Sequence, residues 1–384
     1  MASLLVLLII LGCAAYQYFR GNLIKAFVTI IIVICAGTSA FGYFELLANV
    51  FISQGENSSY ASVVPWAQML CFVLLFVVVF AILQTASAQL IRYPIDLGFM
   101  PERIGRPTCG ILLGLFLSGV LLVALAMAPL SNRYPYQRFD AAKPNPENAS
   151  GVLFNVDDFV TGWFNMLSGG SFSGDTSFAA VHPGFISQLY LARHSEDEKV
   201  DVVTTAQAIE VPAKKAVWPA PDVLNDADDP NTTISAQGGN TLMIVRMGLK
   251  KNAIKESSSF TLSQVRVICK PREDAKDALK GRGRNIYPLG YLAAADQMKK
   301  KGLKDTVTFK RDEFGDKSKL LDFVFEVPND YVPVLIEYKQ NNIASLPSPV
   351  TAEQAMSEET AAVPAKETTE NSEKEEKSTE ESNP

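Results

Sequence analysis

The sequence predicts a membrane α-helical bundle of four transmembrane helices, followed by a small, mainly antiparallel β-sandwich and a disordered acidic tail. Three observations predict it. Four long apolar runs with almost no internal charge fill the first 130 residues, a period-two alternation sets in near Asn240, and ten Glu crowd the segment after Thr351. The implied division is 1–130 for the bundle, 131–200 for a juxtamembrane linker with an amphipathic helix, 201–239 for an irregular linker, 240–344 for the β-sandwich and 345–384 for the tail.

The apolar runs are Ala2–Phe19, Ala26–Phe44, Pro65–Leu83 and Thr108–Leu130. Crossing roughly 30 Å of hydrocarbon takes about 20 apolar residues, which each run approaches. A soluble core cut into such segments would show turn signals and polar faces, and these runs show neither. The first run lacks a basic stretch ahead of it and a small-residue cleavage site behind it, so it is expected to stay as a helix.

Charge and cysteine usage narrow the function classes. The tail carries ten Glu and three Lys, −7 against −6 for the whole chain, so the first 350 residues sum to +1. No basic stripe with interleaved aromatics is present, which argues against nucleic acid as a partner. Cys13, Cys35, Cys71 and Cys109 lie in or beside apolar runs and Cys269 stands alone, so neither a disulfide framework nor a Cys-x-x-Cys metal site is expected. His182 and His194 are the only histidines and have no thiol or carboxylate at ligand spacing. No nucleophile–base pair, carboxylate dyad or phosphate-binding loop appears, so neither an enzyme nor a cofactor site is expected.

Lys and Arg in the connections set the orientation. Arg20 and Lys25 follow the first helix, Arg92, Arg103 and Arg106 follow the third, and the second connection has none. Positive residues remain cytoplasmic, which puts both termini and the β domain outside. Arg133, Arg138 and Lys143 after the fourth helix count the other way, five against three. Within the bundle, Gly110 and Gly114 give the fourth helix a face for close backbone approach, with Gly37, Ser39 and Gly42 candidates on the second. Intramembrane polar residues are few, and no Asp, Glu, Arg or His lies deep in a helix to serve a proton relay. Only Gln84, Thr85 and Gln89 approach a polar stripe that could face a pore.

The order of helix, Arg20-Gly21 turn, second helix, polar loop, third helix, and a basic loop with Arg103 and Gly105 ahead of a fourth helix bearing Gly110 and Gly114 resembles the colicin V production protein (CvpA) family. The resemblance covers residues 1 to 135. Glu102 stands where that family usually has Asp or Asn, Pro107 interrupts the segment, and the glycine spacing is stretched by about a residue. The family resemblance implies a bacterial inner-membrane protein tied to colicin V production and export and to envelope homeostasis, without an established enzyme activity. Read physically, Arg20-Gly21 is expected as a tight interfacial turn in which Arg20 reaches lipid phosphate while Gly21 frees the backbone to reverse, and Arg103 and Arg106 are expected to anchor the same side.

Beyond Leu130, residues 131–150 read as a linker with Tyr134 and Tyr136 at headgroup level. Val156, Phe159, Val160, Trp163, Phe164 and Leu167 recur at helical spacing, with Asp157 and Asp158 near the positive end of the dipole. That helix is expected on the membrane surface or docked on the bundle. Ser168–Gly174 lacks the Gly-Lys-Ser/Thr of a phosphate loop and reads as a flexible turn.

Thr241–Met247, Phe260–Lys270, Thr306–Lys310, Lys319–Val327 and Val332–Lys339 are β-rich. Their alternation predicts one buried face and one wet face carrying Gln264, Arg266, Lys270, Asp322 and Glu326. A short helix is expected near Leu292–Lys301. The tail cannot bury enough apolar area to offset its ordering entropy. Two functions follow: a scaffold whose β domain recruits or senses an unknown envelope partner, or an oligomeric channel or export component built from several bundles.

Overall fold

The computed structural model describes residues 1–55, 62–90, 98–170, 174–195, 200–229, 231–251, 257–310, 314 and 318–351. The expected acidic tail falls mostly on 352–384, and the Ser168–Gly174 turn partly on 171–173, outside the described residues.

Four helices lead the chain: α1 (Ala2–Arg20), α2 (Leu23–Gly55), α3 (Ala67–Leu90) and α4 (Phe99–Met127). All four are long and apolar enough to cross a membrane. At 1.5 Å per residue, the 33-residue α2 is about 50 Å long, well beyond the hydrocarbon thickness. Helix α4 is the most covered of the four and α3 the least. Glycines let α1 lie directly on α4: a methyl group on Gly110 would sit 2.6 Å from Ala14 Cα, and one on Gly114 2.6 Å from Ile10 Cα.

The chain after α4 returns to the bundle. Helix α5 (Val156–Gly169) docks on α4 and α2, placing Val160 over Gly119 and Phe164 over Gly37. Gly42, by contrast, has open space where its side chain would be. The short helix α6 (Phe178–Val181) and α7 (Phe185–Ala192) follow, and rings from five helices interlock. Phe41 packs against Phe72, Phe164, Phe178 and Phe185 with centroids 4.6–6.2 Å apart. Offset and edge-on pairs add to the area they bury, so this cluster ties α5–α7 to the bundle.

The remainder is a mainly antiparallel β region. Strands β1 (Ile209–Glu210), β2 (Val217–Pro219), β3 (Val223–Asp226) and β4 (Thr233–Ser235) are followed by β5 (Asn240–Leu249), β6 (Ser257–Thr261) and β7 (Val265–Pro271). Next come β8 (Arg284–Ile286), β9 (Pro288–Ala294), β10 (Gln297–Lys300), β11 (Thr306–Lys310), β12 (Lys319–Pro328), β13 (Tyr331–Tyr338) and β14 (Asn342–Ser345). The largest sheet runs β1-β5-β12-β9-β10-β3-β4 with β2 also on β5, and its single parallel pair is β3 with β10. A second sheet runs β14-β13-β7-β8, and β6 pairs with β11. All three contribute to one core, where Val245, Phe323 and Phe325 meet Val267, Cys269, Ile336 and Phe260.

Several expectations need correction. Residues 201–239, expected as an irregular linker, carry β1–β4, each of two to four residues and too short to print a period-two signal. The helix expected near Leu292–Lys301 is the β9–β10 hairpin, which buries Leu292 and Met298 together. The supposedly wet faces of β7 and β12 are covered as well. Arg266 and Lys270 on β7 are buried, Asp322 on β12 is fully buried, and only Glu326 stays partly exposed. The layer covering β7 and β13 is built partly from α6, whose Val181 packs on Ile268, Val334 and Leu335.

Candidate functional site

A buried polar junction forms where α2 meets the β region. Glu45, two-thirds of the way along α2, places Oε1 2.7 Å from Nε2 of His182, just after α6. On the other side of the ring, Nδ1 lies 3.1 Å from Gln188 Oε1 on α7, and Gln188 Nε2 donates to Glu337 Oε1 on β13 at 2.8 Å. Glu337 pairs across the strands with Arg266, its register partner on β7. Arg266 also donates to the Val181 carbonyl at 2.9 Å and to Asn285 Oδ1 on β8.

Gln188 donates an amide hydrogen to Glu337, so its oxygen faces His182 Nδ1, and Arg266 Nη2 lies 3.4 Å from the same nitrogen. A protonated ring would pair with Glu45 through Nε2, and with the Arg266–Glu337 pair the junction would then be neutral. Burial pushes the His182 imidazole down, but the adjacent Glu45 carboxylate outweighs it and the ring ends above its ordinary value. Burial raises the Glu337 carboxyl against the pull of Arg266.

Beside the junction a cleft of about 530 Å³ opens between α2, the start of α3 and the β13–β14 turn, with Glu45, Asn49, Gln68, Lys250 and Gln340 in its walls. Gln68 Nε2 donates to the Gln340 carbonyl at 2.9 Å, a second polar link between bundle and β region. The next residue back, Lys339, is buried, and its amine is pushed down to about 8 by burial despite Asp201.

A second knot ties residues 131–150 to α5 and α7. The buried Arg138 guanidinium donates through Nη2 to both oxygens of Asp158, at 2.9 and 3.0 Å, through Nη1 to the Tyr136 hydroxyl at 3.0 Å, and through Nε to Ser187 on α7 at 3.2 Å. Tyr136 in turn donates to Asp157. Asp157 and Asp158 therefore serve as partners of Arg138 as well as facing the helix dipole.

The residues singled out from the sequence gather at the opposite end. Arg20 closes α1, and a methyl group on Gly21 would strike the Gln17 side chain and carbonyl. Arg103 and Gly105 lie in the first turns of α4, where Gly105 faces Leu23. Tyr18, Phe19, Asn22, Phe99, Glu102, Arg103 and Arg106 enclose a cleft of about 780 Å³. Gly110 and Gly114 belong to the α1–α4 contact, away from both clefts.

Sequence reasoning passed over His182, Arg266, Glu337 and Asp322. Alternation in a strand tells which residues share a face, but not what will cover it. One signal was present: Glu45 interrupts an apolar helix that resumes with Leu46, Leu47 and Ala48, and a carboxylate so placed calls for a partner. Among the described residues, no group of three or more His, Cys, Asp or Glu could hold a metal ion. Comparisons with protein-family models, with curated proteins and with solved structures found no match to this chain.

Proposed function

We propose that this chain is a multi-pass scaffold of the bacterial inner membrane, of the kind the CvpA resemblance implies, acting in envelope homeostasis or in colicin and toxin production and export. Its β region, read as a sandwich, is the part that recognises or senses an envelope partner on the outer side. The observation that carries this reading is the Glu45–His182–Gln188–Glu337 chain. It fixes the β region to a membrane helix through buried polar contacts, so a partner held by one is felt by the other.

The orientation is supported by where the charges lie. Arg20, Arg103 and Arg106 gather at the end of the bundle far from the β region, as a cytoplasmic face should. Arg138, which counted against this orientation in the sequence, is neutralised by Asp158. A specific observation keeps the channel alternative in view. Gln84 and Thr85 are exposed on α3, the least covered helix, where a second copy could meet them.

Single-cysteine variants with a membrane-impermeant maleimide test the topology. Asp274→Cys in the β region should label in intact cells with a permeabilised outer membrane, and Met100→Cys at the basic end only after lysis. The reverse pattern would overturn the outer placement. Flux of small ions through liposomes holding the purified chain would favour the channel over the scaffold. A deletion strain whose envelope excludes dyes as well as the parent would argue against the envelope role.

A further inference from the structure

The cleft at the basic end contains an electrostatic arrangement the scaffold reading does not use. Glu102 is its centre, with a side chain about nine-tenths buried. Its Oε2 accepts the Leu23 N–H at 3.3 Å and pairs with the Arg106 guanidinium. Its Oε1 is shut off from water and has no donor among the described residues. Arg103 stands outside this pair, exposed, with its guanidinium 5.5 Å from the centre of the Phe99 ring. Arg106 thus neutralises Glu102, which among the described residues lining the cleft leaves Arg103 as the cation facing it and one carboxylate oxygen without a donor.

The surroundings are those of a membrane interface. Phe19, Phe99, Met100 and Ile104 are exposed around the cleft at the ends of α1 and α4. Tyr18 adds an amphipathic ring of the kind that settles at headgroup level. A planar guanidinium pairs well with phosphate oxygens, and acyl chains would cover the exposed apolar rim.

We propose that this cleft binds the headgroup of a glycerophospholipid that carries a hydrogen-bond donor beyond its phosphate. The phosphodiester pairs with Arg103, and, on a turn of the Glu102 carboxylate toward the cleft it lines, a terminal ammonium or hydroxyl supplies the hydrogen bond that Oε1 lacks among the described residues. Phosphatidylethanolamine and phosphatidylglycerol both meet this requirement. Phosphatidylcholine has the same phosphate but no N–H or O–H in its headgroup. The inference rests on the bundle lying in lipid, which the maleimide labelling tests separately.

The experiment is lipid titration of the full-length chain in detergent, read by native mass spectrometry and thermal shift. Phosphatidylethanolamine or phosphatidylglycerol should bind about tenfold tighter than phosphatidylcholine, the size of one good polar contact. Arg103→Ala, at an exposed position that leaves the Glu102–Arg106 pair alone, should weaken binding of the preferred lipid by a similar factor. Glu102→Gln, if it folds, should remove the preference over phosphatidylcholine. Equal binding of all three lipids, or unchanged binding by Arg103→Ala, would overturn the proposal. Soluble glycerophosphoethanolamine binding as tightly as the lipid would overturn the assignment to a lipid.

Discussion

Glu45 of α2 and His182 at the end of α6 lie 2.7 Å apart, and Gln188 and Arg266 both face Nδ1 on the far side of the ring. The imidazole thus joins an apolar helix to the β region. Its protonation decides whether the junction, with Glu337 and Arg266, is neutral or carries an uncompensated negative charge.

The pH dependence of stability follows from that count. The His182 pKa is raised above its ordinary value, so its contribution is complete below the unfolded value of about 6.5 and is lost as pH rises through the higher folded value. Glu337, also raised, acts in the same direction at lower pH. Between about pH 6.5 and 8, below the range in which the Lys339 penalty is relieved, the thermal midpoint of the purified chain should fall as pH rises. His182→Gln should lose about 1.5–3 kcal/mol at pH 6 and flatten that slope. Midpoints that match the parent at every pH would contradict the protonated junction.

Asp322 and Arg246 form a buried two-bond pair, 2.6 Å from Nε and 2.7 Å from Nη2, with the guanidinium 5.0 Å over Trp218. Replacing Asp322 by Ala strands a buried cation and should cost about 3–5 kcal/mol. The double change Asp322→Leu with Arg246→Met should cost much less, because no charge is left behind. Urea titration of both variants checks the difference.

Close helix contacts predict a contrast between glycines. A methyl group on Gly119 would lie 2.4 Å from the Val156 carbonyl oxygen, whereas one on Gly42 meets nothing within 4 Å. Gly119→Ala should destabilise by about 1–3 kcal/mol and loosen α5. Gly42→Ala should be neutral or slightly stabilising. Protease sensitivity of the segment from Asn155 to Gly170 reports the loosening.

The buried Lys339 amine, held down to about 8, carries its charge at pH 7 at a cost. A depressed lysine pKa means stability is recovered only above the unfolded value of about 10.4 and lost as pH falls through 8. Lys339→Met keeps the length and removes the charge, so it should raise stability at pH 7 by on the order of 2–3 kcal/mol. The gain should shrink by pH 10. A loss at pH 7 would mean that the amine has a stabilising partner.

The helices were legible because nothing but length and apolarity is needed to specify them, and the long strands because Val265, Val267 and Cys269 alternate cleanly. The chemistry was not. Arg266, Glu337 and Asp322 look like solvent-facing residues of alternating strands, and only the layers covering those strands turn them into buried pairs. Arg138 reads as a basic flag in a linker until Asp158, twenty positions on, is folded against it. The cleft at the basic end was half legible. Its arginines were singled out, but the bond from the Leu23 N–H to Glu102 Oε2 joins residues far apart in the chain, which no local pattern encodes.

Helix α2 is one unbroken rod from Leu23, beside the arginine cleft, to Gly55, beyond the polar junction. Glu102 holds the amide of its first residue, and His182 holds the carboxylate it carries further along. Tilting such a rod at one end must swing the other, so a change at the arginine cleft can reach the polar junction mechanically.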